Sequence, residues 1–412
     1  MLQRLRIRNF KSIYDETIEL GRFNVFIGEN GSGKTNVLEA LGMASAASEN
    51  KLSNDELALR GIRVAKPTIT FSSFLKEKQV KAIDLELLIK TEDNLNVNIS
   101  NQLTTENIND IFSKWTLKDG ILSIEDEGKP ISLVPYYESI LQTNTFDFLT
   151  RAFLPLMRNY STPEKLQRFL IEQVNTLLPK TFIRSIQLDL YKIYNLSTQT
   201  LRGIDGKSRA IPGIQGENLD RLIESFDKKE RELLEEYAYF IDWLEKIEID
   251  KEDRHKSDGH KLDMSTSILY FRDKYMQRKN NRFSAENANE GVLHILFYLA
   301  LFISRHTSKF FAIDNIETAL NPELCKKLVE QLVKLSTKTN RQVLITTHSP
   351  SVLDGLNLYD DEQRLFKVYR NKKGHTKVKR IQLKPNQEFN GQQFKLSELW
   401  MRNYIGGIPQ NL

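Results

Sequence analysis

The sequence predicts an α/β fold: a mixed, mainly parallel sheet flanked by helices, a β-rich lobe beside it, and a largely helical insertion that divides the head in two. Three stretches predict it. Phe23–Ile27 is a short apolar, aromatic and β-branched run, the mark of a buried strand. It leads without a gap into Gly28-Glu29-Asn30-Gly31-Ser32-Gly33-Lys34-Thr35 and then into a helical pattern over 36–44. Far downstream, 309–314 and 343–348 read as two apolar strands joined by a helix at 322–336, with Leu324, Leu328, Leu332 and Leu335 on one face. Such a βαβ unit places its strands parallel in one sheet.

The elements follow in order. Residues 5–10 alternate and predict a first strand, and 13–20 predict its hairpin partner. Residues 45–65 are polar and small, with a short helix over 53–59. Strands are expected over 68–71, 82–89 and 95–99, the last two divided by a hairpin-like turn at 91–94. These complete the first half of the head, residues 1–104. Residues 105–265 carry no motif and are expected to form a mainly helical insertion. Helical spacing marks 146–157, 163–178, 219–226 and 229–246, with a strand at 183–190. Within 229–246, Leu233, Leu234, Tyr237, Phe240, Ile241 and Leu244 share a face opposite Lys, Arg and Glu, which fits a packed helix with a solvated side. The second half of the head is expected over 266–412, opening with a strand at 267–271.

Composition sets bounds. The 412 residues, 40% hydrophobic and 27% charged, suit a globular chain with room for a large domain and an insertion. The net charge of +5 is a near balance of 59 basic against 54 acidic residues, so charge alone does not argue for nucleic acid. Cys325 is the single cysteine, which excludes an internal disulfide and suits a reducing cytoplasm. Residues 1–7 lack the apolar core of a signal peptide. The longest apolar run, 292–303, contains His294 and is too short to span a bilayer. A cytoplasmic protein without membrane contact is the expectation.

The glycine loop fits G-x-x-x-x-G-K-[ST] in the strand–loop–helix setting that this motif requires. Glycines let backbone N–H groups converge on a phosphate, and the helix N-terminus adds partial positive charge. Asn30, Gly31, Ser32, Gly33 and Asn36 are therefore expected at a nucleotide. Lys34 should reach the β- and γ-phosphates and the Thr35 hydroxyl should sit on Mg²⁺. Asp314 ends an apolar strand, the Walker B pattern, and should share that metal with Thr35. His348 ends the next strand, where it can touch a γ-phosphate. Asn289-Glu290-Gly291 feeds an apolar helix whose first N–H groups can face an anion. ATP and Mg²⁺ are the expected cofactors.

As a set, these segments resemble the P-loop ABC-type ATPases of the SMC, RecF and OLD kind, within the AAA ATPases. Asn9-Phe10-Lys11-Ser12-Ile13 is similar to their opening motif, which puts Lys11 beside the nucleotide. Residues 28–35 match their Walker A loop, Asn289 and Gly291 stand at their signature, and Asp314 at Walker B. Ala319-Leu320-Asn321-Pro322 is similar to their D-loop, and His348 to their H-switch. The resemblance covers residues 1–45 and 283–358. It implies a head-to-tail homodimer, or a higher oligomer, that sandwiches two ATPs. The signature of one chain would close the P-loop site of the other.

The chain departs from the family at one position. A Glu usually follows the Walker B Asp as general base; here the order is Asp314-Asn315-Ile316-Glu317. An amide cannot take a proton, and losing a positioned base costs roughly 10²–10⁴ in rate. Slow hydrolysis is the favoured expectation, with Glu317 as substitute base, or some other residue, as alternatives.

Two features bear on partners. Arg364, Lys367, Arg370, Lys372, Lys373, Lys377, Lys379, Arg380 and Lys384 alternate about Asn371-Lys372-Lys373-Gly374, with no acid in 365–384. This predicts a basic β-hairpin, either a charged edge that blocks aggregation or a ribbon that contacts DNA phosphates. The tail at 394–408 carries Leu396, Leu399, Trp400, Tyr404, Ile405 and Ile408, and is expected to dock on its own lobe or to anchor a partner. In organisation the chain is similar to ATPase subunits of prokaryotic anti-phage systems such as Septu and PARIS, in which an effector nuclease or TOPRIM-type protein acts in trans. A sensor or scaffold ATPase of such a system is the leading expectation. A RecF-like DNA repair ATPase and a non-hydrolysing protein scaffold are the alternatives.

Overall fold

The computed structural model describes residues 1–75, 77–91, 96–126, 129–130, 183–204, 208, 210–252, 254–257, 265–383 and 394–405. β1 (Leu2–Phe10) and β2 (Ile13–Glu19) form an antiparallel hairpin. β3 (Phe23–Ile27) is buried along its whole length and ends at the glycine loop, from which α1 (Lys34–Ser48) departs. After α2 (Asn54–Leu59), capped by Ser53, come β4 (Ile83–Lys90), β5 (Asn96–Thr105), β6 (Trp115–Asp126) and β7 (Lys129–Pro130). They extend the first hairpin into an antiparallel sheet of order β2-β1-β4-β5-β6-β7. β4 and β5 alternate buried and half-buried residues, as strands do when one face packs on a core.

β8 (Ile193–Tyr194) follows, then helices α3 (Leu219–Glu224) and α4 (Lys228–Ala238). β9 (Leu244–Ile249), β10 (Leu269–Asp273) and β11 (Arg282–Ser284) make a small antiparallel sheet. α5 (Glu290–Ile303), β12 (Phe310–Ile313), α6 (Pro322–Lys338) and β13 (Gln342–Thr347) lead to the hairpin β14 (Gln363–Arg370) and β15 (Thr376–Ile381), and α7 (Leu396–Met401) closes the described chain. The central sheet runs β15-β14-β3-β13-β12-β8. Every pairing in it is parallel except β14–β15.

Both faces of the central sheet are covered, as parallel sheets require. Phe26, Phe310, Ala312 and Leu344 face a core shared with α1 and the antiparallel lobe. Val25, Ile27, Phe311, Ile313, Val343 and Ile345 face a second core built from α5, α6 and residues 219–241. α5 is buried from Gly291 to Ile303. Each of its Leu, Ile and Phe side chains contributes about 1.5–3 kcal/mol of hydrophobic stabilisation. α6 starts where Asn321 accepts from Leu324 N at 2.9 Å and Pro322 occupies the first turn.

Several elements differ from expectation. Residues 68–71 are not a strand: Pro67–Thr70 is one helical turn, favoured by proline at its start, and only Phe71 bridges to Phe10. Residues 183–190 are helical turns, because Gln187 takes φ 54° and Leu190 is 55% exposed. The helix expected over 229–246 ends at Ala238, and Leu244–Ile249 instead pairs with β10, so tertiary pairing overrides the helical spacing. Nor do the described parts of 105–265 form one helical body. They supply β6 to the antiparallel sheet and β8, through backbone bonds such as Asp314 N to Tyr194 O at 2.8 Å, to the central one. The helices expected at 146–157 and 163–178 lie outside the described residues. The tail packs on its own lobe: Leu399 is buried, Trp400 and Ile405 lie against the second core, and Ser397 binds Asp354. Among the described residues no helix is long and apolar enough to cross a membrane.

Candidate functional site

The parallel register of β3, β13 and β12 brings three loops to one end of the central sheet. β3 ends at Ile27, β13 at Thr347 and β12 at Ile313, so Gly28, Asp314 and His348 emerge side by side. The ends of parallel strands are where open α/β sheets place ligands.

The glycine loop is moulded to its surroundings. A Cβ on Gly28 would fall 2.1 Å from the carbonyl oxygen of Val368, so no side chain fits there. Gly33 has φ 107° and serves as N-cap of α1; a Cβ there would also meet Thr376 Oγ1 at 2.2 Å. Asn30 and Gly31 are exposed at the crest of the loop. Ser32 is buried, and its Oγ has no hydrogen-bond partner among the described residues.

Lys34 Nζ donates to the carbonyls of Gly28 (2.8 Å) and Glu29 (3.0 Å) and lies 3.4 Å from His348 Nδ1. Burial lowers its pKa to about 8, against the pull of Asp314, Glu317 and Glu29. Thr35 Oγ1 donates to both carboxylate oxygens of Asp314 at 3.2 Å. Thr346 Oγ1 also donates to Asp314 and accepts from Asn315 N at 3.0 Å. Glu317 Oε2 accepts from Thr347 Oγ1, and its Oε1 from His348 N, each at 2.8 Å. Burial first, then the Lys34 charge, lowers the pKa of His348, which favours a neutral ring.

Lys34, Thr35, Asp314, Glu317 and His348 thus form one cluster. Lys11 lies on another side of α1. Its Nζ binds Glu39 at 2.6 Å, and Arg63 Nε binds the same carboxylate at 2.7 Å. Burial raises the pKa of the fully buried Glu39, but the bonds from Arg63 and Lys11 outweigh it and leave a net lowering. Asn36 joins this group through Arg63 Nη2 at 3.1 Å. Asn289 caps α5 by accepting from Gly291 N at 2.8 Å, and Gly291 sits against Ala319 and Leu320. Sequence reasoning missed Thr346, Ser12, Thr376, Glu39 and Arg63. Ser12 and Thr346 lie inside quoted motifs, but only the fold reveals their partners.

One turn beyond the signature, His294 is fully buried; Nε2 lies 3.2 Å from Thr198 Oγ1 and Nδ1 has no partner among the described residues. Burial lowers its pKa to about 4. The unfolded chain therefore binds the extra proton between pH 6.5 and 4, and stability falls as the pH falls through that window. The expected loss is roughly 3 kcal/mol from this residue. Urea unfolding of His294→Gln and of the wild type at pH 4.5 and 7 should show this part of the slope only in the wild type.

In the basic hairpin, Arg364 and Arg380 pair with Asp361, Lys377 with Glu16, and Lys373 with Glu77 at 3.7 Å. Lys367 faces Lys379 directly across the β14–β15 register; neither forms an ion pair within 4 Å among the described residues, and the Glu29 charge offsets only part of the burial and Lys379 repulsion that lower the pKa of Lys367. Lys384 lies outside the described residues.

This fold and cluster define an ABC-type P-loop ATPase head. The chain belongs to the AAA ATPase domain family, whose model matches residues 1–353. It is 23% identical over 381 residues to the DNA replication and repair protein RecF of Clostridium novyi (strain NT), spanning 89% of this chain and 98% of that one. A 98-residue stretch is 33% identical to RecF of Clostridium tetani (strain Massachusetts / E88), covering 24% of this chain and 26% of the relative. Among solved structures, the SMC head bound to the C-terminal winged-helix domain of ScpA aligns with a TM-score of 0.55 at 14% identity, covering 93% of this chain and 98% of that one. The likeness to the SMC head is one of fold.

The site suits a nucleotide with its metal. Ser32 Oγ is a buried polar atom in want of a partner, Gly28 and Gly33 leave no room for side chains, and Thr35 already shares Asp314. Lys34 and residues 31–33 would hold the phosphates, Thr35 and Asp314 the Mg²⁺. Mg²⁺ held there would offset the negative charge of the phosphates.

Proposed function

We propose that the protein is an ATP-dependent clamp that engages duplex DNA through its basic hairpin and hydrolyses ATP slowly. It closes as a head-to-tail homodimer around two ATP·Mg²⁺. ATP is supported by the cluster of Lys34, Thr35, Asp314 and His348. The dimer is supported by Asn289, which is exposed where it accepts from Gly291 N at the start of α5. A second chain's P-loop would complete that surface. Slow turnover is supported by Asn315 beside Asp314.

The observation that carries the DNA assignment is the Lys367–Lys379 pair. Like charges directly opposite on adjacent strands destabilise a hairpin, and a polyanion laid across them removes that cost. The RecF relative, matched over 98% of its length, is named for DNA replication and repair. Duplex binding should weaken steeply with salt. Reversing Lys367, Lys372 and Lys379 to Glu should raise the Kd at least about tenfold and flatten the salt slope by about one for each phosphate no longer neutralised. Fluorescence anisotropy over a salt series checks both. Binding that is insensitive to salt and to these substitutions would sink the DNA assignment.

The second proposal is a scaffold ATPase of an anti-phage system with an effector nuclease in trans; ATP held as a latch favours it. Affinity capture of the tagged protein from its native host with ATP, wild type against Lys34→Ala, separates the two. A co-purifying nuclease supports defence, whereas DNA with repair factors supports the clamp.

A further inference from the structure

We propose that Thr376, assisted by Arg370, is a positioning residue that presets the glycine loop for nucleotide, an inference that rests on the ATP-site proposal above. The hairpin that carries both residues comes from the far end of the sequence, yet it lies directly against the loop. Thr376 is fully buried, and its Oγ1 lies 2.8 Å from the carbonyl oxygen of Ser32. A carbonyl only accepts, so the threonine hydroxyl donates there. Its single hydrogen is then used, and Ser12 Oγ, 2.6 Å away, must donate to it. Ser12 in turn accepts from Asn36 Nδ2 at 2.6 Å. Donor direction is therefore fixed along the whole chain, from Asn36 through Ser12 and Thr376 to the loop carbonyl. Arg63, donating to Asn36 Oδ1, orients the amide at its start.

The peptide geometry gives this relay a use. In a planar trans peptide the carbonyl of Ser32 and the N–H of Gly33 point in opposite directions. Holding the carbonyl outward on Thr376 turns that N–H inward, where a phosphate oxygen would lie. Arg370 acts one residue earlier: its Nε donates to Gly31 O at 3.1 Å, and its Nη1 to Gly374 O. The next amide, Ser32 N, meets Glu29 O at 3.3 Å, a long bond that a phosphate can replace. Gly33 is needed partly because Thr376 stands where a Cβ would be. Preset N–H groups bind an anion without a reorganisation cost, which is the general benefit of preorganisation.

The test is MgATP binding by isothermal titration, with the nucleotide-free melting temperature as a fold control. Thr376→Val keeps the shape and removes the hydroxyl; its Kd should rise about tenfold. Thr376→Ser keeps the hydroxyl and should bind within about twofold of wild type. Arg370 is exposed, so Arg370→Met leaves the fold intact; its Kd should rise about threefold. If the valine and methionine variants both bind like wild type, or if serine fails as badly as valine, the positioning role is overturned. Should the valine variant misfold, the methionine result decides. A wild type that binds no MgATP overturns this role together with the ATP-site proposal, whereas unchanged variants overturn this role alone.

Discussion

Replacing Lys34 by methionine is expected to raise the stability of the nucleotide-free protein while removing its ATP binding. Lys34 is 5% exposed, and its ammonium donates to two backbone carbonyls. Its pKa falls from 10.5 to about 8 because burial costs the ammonium more than the nearby acids return. Between pH 8 and 10.5 the unfolded chain binds more protons than the folded one. The folded state therefore carries the whole penalty at and below pH 8, and recovers stability as the pH rises through that window. A shift of this size corresponds to roughly 3 kcal/mol. Methionine removes the charge but leaves two carbonyls with one partner fewer, which costs about 1–2 kcal/mol. The net expectation at pH 7 is a gain of about 1–2 kcal/mol in denaturant unfolding. ATP binding should fall by roughly a hundredfold or more, since charge-assisted bonds to phosphate contribute about 1.5–3 kcal/mol each. Normal MgATP affinity in this variant would refute the Walker A assignment. Lower stability than wild type at pH 7 would refute the desolvation account. Active sites commonly hold such strained charges, and stability is what they give up.

The central sheet and its site loops were legible in sequence because each is local. A buried strand, a glycine loop and a helix follow one another at residues 23–44, and the second βαβ unit announces itself by an unbroken apolar run on either side of an amphipathic helix. The edge strand β8 was not legible. Ile193–Tyr194 is two residues long and gains its strand identity only from pairing with Ala312 and Ile313. The same holds for β9, where a helical spacing gave way to a partner strand. Lys11 matched a motif, yet the partner that fixes it, Glu39, sits mid-helix, and nothing in the spacing of the two residues marks the pair. The relay from Asn36 to Thr376 joins positions 340 residues apart. No window of sequence contains it; the β14–β3 and β14–β15 pairings, with the backbone bond from Thr376 N to Ser12 O, bring its members together.

Placing a glutamate at Asn315 is expected to raise ATP turnover by roughly 10² over a wild type that runs well below the typical range of enzymes. Asn315 directly follows Asp314 at the end of β12, and its amide N is held on Thr346 Oγ1. A carboxylate at that position can accept a proton from water near the metal shell; an amide cannot. The backbone sets a limit on the gain. Asn315 has φ 57°, a left-handed conformation that Asn tolerates and Glu adopts at a cost of about 1 kcal/mol. Asn315→Glu should therefore be slightly less stable as well as faster. Glu317 is the competing base, but both of its oxygens already accept hydrogen bonds, from Thr347 Oγ1 and His348 N. Glutamine there would turn an NH₂ toward one of those donors, so Glu317→Gln should disturb the His348 loop as well as any proton transfer. The two ideas separate in a phosphate-release assay under saturating ATP. Faster turnover in Asn315→Glu that persists in the Asn315→Glu, Glu317→Gln double variant identifies position 315 as the missing base and ATP as a latch in the native protein. No gain from Asn315→Glu, combined with loss of a measurable wild-type rate in Glu317→Gln while MgATP affinity and melting temperature stay at wild-type values, assigns the base to Glu317 instead. In that case the hydrogen bond from the His348 amide couples the base directly to the end of β13, and His348→Ala should lower turnover together with Glu317→Gln.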